Sequence, residues 1–87
     1  MNSNLKTFID KRLTKLSLYH NHIISIDLYL NLDNPSSQTN KAVELRVHIP
    51  GDDVVVGKKS DAFEKALDLA ASTAERLLKR RKEKTRI

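Results

Sequence analysis

The 87-residue chain has no cysteine and no tryptophan, and only two glycines, two prolines and four aromatic rings. Without cysteine there is no disulfide frame and no thiolate metal site, a composition that fits a reducing cytoplasm. Two isolated glycines leave no Gly-rich loop to cradle a phosphate, and no pair of carboxylates stands in an apolar setting for acid–base work. No cofactor and no catalytic residue is indicated. Aromatics are scarce: Phe8 and Phe63 fall on apolar stripes, leaving Tyr19 and Tyr29. That scarcity argues against reading a single strand by base stacking. The first twenty residues contain Lys6, Asp10, Lys11, Arg12 and Lys15 and no unbroken apolar run, which excludes a signal peptide or membrane span there. There is no repeat and no low-complexity segment.

Cations are abundant, and their distribution says more than the net charge of +5. Residues 1–20 carry four cations against Asp10, whereas residues 21–59 carry four against five anions. The last twelve residues carry seven (Arg76, Lys79, Arg80, Arg81, Lys82, Lys84 and Arg86) against Glu83 alone. A near-neutral middle between two cationic ends points to a polyanionic partner. The length suits one domain, 1–87, with one modest core. A domain of this size buries only about 60–65% of its unfolded surface.

Periodicity predicts an α+β chain in the order α-β-β-β-α. Leu5, Phe8, Ile9, Leu13 and Leu16 recur at three- and four-residue spacing, so a helix runs from about Leu5 to Tyr19. Asn2 or Ser3 is placed to cap it. Arg12 sits at the border of the stripe, its stem packed and its guanidinium wet. Ile23 to Leu32 reads as a strand with one buried face, because Ile24, Ile26, Leu28, Leu30 and Leu32 alternate with Ser25, Asp27, Tyr29 and Asn31. A polar loop, 33–40, precedes a second strand with Val43, Leu45, Val47 and Ile49 inward and Glu44, Arg46 and His48 outward. Pro50-Gly51-Asp52-Asp53 reads as a tight turn, and Val54 to Lys59 as the third strand of an antiparallel meander. A final helix from about Asp61 to Lys84 buries Phe63, Ala66, Leu67, Ala70, Ala74, Leu77 and Leu78, with Ser60 or Asp61 as cap. At about 1.5 Å per residue its last two turns should project past the sheet as a cationic rod. Both helices then lie on the single apolar face of the sheet.

His20 and His22 form an H-x-H pair in a turn, with no further ligand in reach, so no metal site is expected. His48 reads as a surface residue, and Asp27, Glu44 and Arg46 as cross-strand pairs on the wet face. The cationic helices are the chemical signal. Lys6, Arg12 and Lys15 on the first, and Lys79, Arg80, Arg81, Lys82 and Lys84 on the second, offer positive heads at several points along a phosphate backbone. Lys58 and Lys59 stand just before the second helix as an extension of that patch. Shape and backbone recognition of structured RNA is the reading that follows.

The stretch Leu5-Lys6-Thr7-Phe8-Ile9, continuing through Lys11-Arg12-Leu13-Thr14-Lys15-Leu16 to Tyr19, resembles the first helix of the ribosome hibernation promoting factor family. This group is also described as the ribosome-associated inhibitor or sigma modulation protein family. Ser60-Asp61-Ala62-Phe63-Glu64-Lys65-Ala66 looks like the motif that opens the family's last helix, and Lys79-Arg80-Arg81-Lys82-Glu83-Lys84 like its terminal basic run. The resemblance implies a cytoplasmic protein that occupies the decoding channel of the small ribosomal subunit in starvation or stationary phase. There it overlaps the messenger and transfer RNA positions and blocks translation. It also implies that Lys6, Arg12, Lys15, Lys79 and Arg81, followed by Lys82 and Lys84, face ribosomal RNA. The chain matches the short form, without the further C-terminal domain of the long one, so self-driven ribosome pairing is not implied.

One departure concerns the start. Family members begin with a strand before the first helix, and this chain starts almost at the helix cap. Either the chain is cut short, or a second copy covers the open edge of the 23–32 strand, an expectation of homodimerisation. Two other readings stay open. A double-stranded-RNA-binding domain has the same element order, and Gly57-Lys58-Lys59 is similar to its phosphate clamp. However, its cations concentrate at the start of the last helix, and its Gly-Pro-x-His loop is missing here. An interaction module that dimerises through the open strand is the other.

Overall fold

The computed structural model describes residues 3–20 and 22–85, with side chains described over 4–20 and 22–81. The order is α1 (Ser3–Tyr19), β1 (Ser25–Leu32), β2 (Lys41–Ile49), β3 (Asp52–Ser60) and α2 (Phe63–Thr85). The strands form an antiparallel sheet in the order β1-β2-β3. This is the α-β-β-β-α architecture expected from the periodicity, with some strand ends shifted by one or two residues.

Alternation fixes which side chains face the helices. Register sets Leu28 beside Leu45 and Leu45 beside Val56 on the inner face, with Tyr29, Glu44 and Gly57 in a row on the outer one. Leu45 and Val47 from β2, Val54 from β3, Leu67, Ala70, Ala74 and Leu78 from α2, and Leu16 from α1 are all essentially inaccessible to water. Four alanines on the inner side of α2 (Ala66, Ala70, Ala71 and Ala74) let it settle close to the sheet. It lies over β2 and β3, while α1 lies beside α2. In consequence the inward residues of β1, Ile26, Leu28 and Leu30, are only half-buried, and Ile24 and Leu32 are exposed.

The β2–β3 turn needs only Pro50 and Gly51, because Ile49 already pairs with Asp52. Proline at the first turn position fixes φ, and Gly51 at the second adopts φ 80°, a region closed to most side chains. In the loop before β2, Asn34 Oδ1 accepts from Ser36 N (3.2 Å) and Ser36 Oγ (2.8 Å), a local turn built by a short polar side chain.

The start of α2 differs from the expectation. The Ala66 amide donates to the Ala62 carbonyl (3.1 Å), so the cap position belongs to Ala62. Ser60 is taken by the end of β3. The Asp61 carboxylate accepts from Lys65 and from Ser60 Oγ (3.2 Å), which, in that order, hold its pKa below the ordinary value. For α1, Ser3 is already helical, and Asn2 lies outside the described residues.

Candidate nucleic-acid interface

Arg12 on α1 has a side chain only 13% exposed, and its guanidinium donates from Nε to Asp68 Oδ1 and from Nη1 to Glu75 Oε1, both at 3.1 Å. Asp68 and Glu75 are seven residues apart, two turns on one side of α2, which suits a fork with donors pointing two ways. The guanidinium expected to be wet is instead the clamp between the helices. It is committed to carboxylates and not displayed to a phosphate.

The clamp orders the cations around it. Lys15 stands three residues after Arg12 and four after Lys11, so the three are neighbours on α1, with both lysines exposed. On α2, Lys79 follows Glu75 by four residues and Arg80 follows Arg76 by four, while Arg76 and Lys79 are three apart. Arg76, Lys79 and Arg80 therefore make one exposed cationic surface that begins beside the carboxylate held by Arg12. Arg76, Thr73, Leu77 and Arg80 line a shallow hollow of about 210 Å³. Lys11 and Arg76 were not among the cations assigned to RNA from the sequence, although their four-residue spacing to Lys15 and Arg80 is the signal that finds them.

Other expected contributors are dispersed. Lys6 is exposed but nine residues from Lys15, about 180° around the helix at about 100° per residue, so the two occupy opposite flanks. Lys58 and Lys59 are strand residues in β3 and point to opposite faces. Lys58 is half-buried on the helix side, whereas Lys59 is on the outer face, paired with Asp33. Arg81 pairs with Asp52 at the β2–β3 turn. This pair keeps α2 against the sheet through residue 81. The 23-residue helix is about 34 Å long and the 9-residue β3 about 30 Å, so the overhang is one turn, not two. The side chains of Lys82 and Lys84, in that turn, lie outside the described residues.

The outer sheet face carries a separate polar system. His48 has both ring nitrogens on carboxylates, Nε2 to Asp27 Oδ2 at 2.8 Å and Nδ1 to Asp53 Oδ1 at 3.0 Å. These contacts, Asp27 first, raise its pKa above the ordinary value. It lies on the outer face as expected, and there it ties three strands. Asp27 reaches His48 although its register partner is Arg46. Arg46 instead donates from Nε to Glu44 (3.0 Å) and lies 5.6 Å over the Tyr29 ring. His20 is buried and meets His22 edge-on at 6.1 Å between ring centroids. Among the described residues no three His, Asp or Glu side chains gather as a metal site, and no helix is long and apolar enough to cross a membrane.

Residues 1–86 match the family model described as sigma 54 modulation protein / S30EA ribosomal protein. No curated protein matches the chain. Two solved structures share its fold. A ribosomal subunit interface protein from Coxiella burnetii is 22% identical with a TM-score of 0.79, over 94% of this chain and 86% of that one. The N-terminal domain of Thermus thermophilus Protein Y is 21% identical with a TM-score of 0.68, over 92% and 84% respectively.

Proposed function

The chain belongs to the sigma 54 modulation protein / S30EA ribosomal protein family, a ribosome-associated group, and on that premise we propose that it binds the small ribosomal subunit and withholds it from translation. The whole chain acts as one ribosome-binding unit in the cytoplasm, by binding and without catalysis. Its contact surface draws on the exposed cations Lys11 and Lys15 of α1 and Arg76, Lys79 and Arg80 of α2, and the terminal basic residues Lys82 and Lys84 are assigned to it from the sequence alone. The observation that carries this reading is the Arg12 clamp on Asp68 and Glu75, which holds the two cationic helices in one fixed relation. Preset spacing is what a rigid phosphate surface rewards, because fewer side chains must be ordered on binding. The occupied place is the decoding channel, in starvation or stationary phase, where the protein overlaps messenger and transfer RNA.

Sedimentation with purified small subunits tests this. The protein should co-sediment with vacant subunits and be displaced when messenger and transfer RNA are bound beforehand. Undiminished binding to preloaded subunits would remove the decoding channel from the proposal. Tight binding to plain duplex RNA, with none to subunits, would favour a double-stranded-RNA-binding domain instead. Among the described residues nothing pairs with the outer edge of β1, whose inner side chains are half-exposed. We propose that a second copy covers this edge at high concentration. Light scattering should then give a mass rising toward twice that of one chain, and a constant monomer mass would exclude it.

A further inference from the structure

The sheet face turned away from the helices has a gap in it. Outward residues form cross-strand rows, Asn31–Ala42–Lys59 and then Tyr29–Glu44–Gly57. Gly57 contributes no side chain to its row and Ala42 only a methyl group to the next. Together they floor an open trough of about 800 Å³. A Cβ added at Gly57 would meet nothing within 4 Å, so the space above this strand is empty.

The walls have a definite chemistry. Tyr29 is 51% exposed, and the Arg46 guanidinium over its ring fixes its position. Asn31 offers an amide with both donor and acceptor, Glu44 a carboxylate acceptor, and Lys59 an ammonium at the rim. A flat floor, one aromatic wall, short-range polar groups and a cation at the edge suit a planar heterocycle bearing a phosphate. We propose that the trough holds one unpaired RNA base, stacked on Tyr29 and read by Asn31 and Glu44, with its phosphate drawing Lys59 away from Asp33. That the nucleotide belongs to an RNA strand rests on the ribosome-binding reading above. The trough itself is independent of the helix cations and lies on the opposite face. A single tyrosine serves one base, so the scarcity of aromatics excludes a stacked strand but not this contact.

Gly57 supplies the test. Its backbone is outside the left-handed region and its surroundings are open, so Gly57→Val fills the trough while suiting a strand. The intact ¹⁵N-labelled protein is titrated with a single-stranded hexaribonucleotide, with a duplex of the same length and with adenosine monophosphate. Single-stranded RNA should shift the amides of Tyr29, Asn31, Ala42, Gly57 and Lys59. Gly57→Val and Tyr29→Ala should each weaken that binding at least fivefold, with the thermal midpoint of Gly57→Val no lower than that of the parent. Lys79→Ala with Arg80→Ala should leave these shifts in place. Trough shifts that persist without subunit binding would sink the proposed function and keep this site, and subunit binding without trough shifts would do the reverse. Unchanged affinity in Gly57→Val, or shifts confined to the helices, would overturn the inference. Equal affinity for the monophosphate and the hexamer would overturn the RNA assignment in favour of a free nucleotide.

Discussion

His48 is the residue whose charge the structure dictates. A neutral imidazole donates from one nitrogen only, yet here both nitrogens meet carboxylates, Asp27 and Asp53. The arrangement is complete only with the ring protonated, which agrees with its raised pKa. The sign follows from linkage: a pKa higher in the folded than in the unfolded state adds stability that is fully present below the unfolded value, about 6.5. That contribution is lost as pH rises through the folded value. The urea midpoint should therefore fall between pH 6 and pH 8.5 in the parent protein, and fall less in His48→Gln. Equal losses in both would show that the tie contributes nothing. The two glycines make a second contrast. Gly51, at φ 80°, should lose about 1–2 kcal/mol on replacement by alanine. Gly57→Ala should be neutral or slightly stabilising, and denaturant unfolding compares the two directly.

At the scale of elements, α2 carries both the core and the cations. Leu67 is 1% exposed between the sheet and the rest of its helix, so Leu67→Ala should lower stability by about 2–5 kcal/mol. The Arg12 clamp is weaker because Asp68 is 63% exposed, and solvent screens that half of it. Arg12→Gln should cost about 1–2 kcal/mol, mostly from the Glu75 contact and the packed stem. If Arg12 positions the helices and does not itself touch phosphate, the same variant should bind subunits more weakly with an unchanged salt slope. A slope lowered by about one unit would make it a phosphate contact after all. Much at this scale was legible in the residues. Leu5 to Leu16 spelled a helix, and 23–32 and 43–49 spelled strands, because burying one face imposes a period. The cap of α2 was not legible. Ser60 and Asp61 are both good capping residues, but Ser60 is held by the β3 ladder and Asp61 by Lys65, and no local pattern reveals that competition.

For the molecule as a whole, residue types foretold a cationic binding surface, while its membership depended on packing. Charge alone could not show that Arg12 would be taken by Asp68 and Glu75, fifty-six and sixty-three residues away. Nor could it show that Lys59 would turn to the far face. The trough at Gly57 was hidden because the missing side chain matters only beside Ala42, its diagonal neighbour across the sheet. What remains after these assignments is a set of exposed cations, Lys11 and Lys15 on α1 and Arg76, Lys79 and Arg80 on α2, carried by two helices that one clamp joins. The most direct test of that set is the salt dependence of affinity for vacant small subunits. It should be measured for the parent chain and for a variant with Lys15, Lys79 and Arg80 all replaced by alanine. Parent affinity should fall steeply with salt, and the variant's slope should be shallower by about two to three units, near one per lost phosphate contact. Identical slopes in the two proteins would contradict the assignment of these cations to ribosomal RNA.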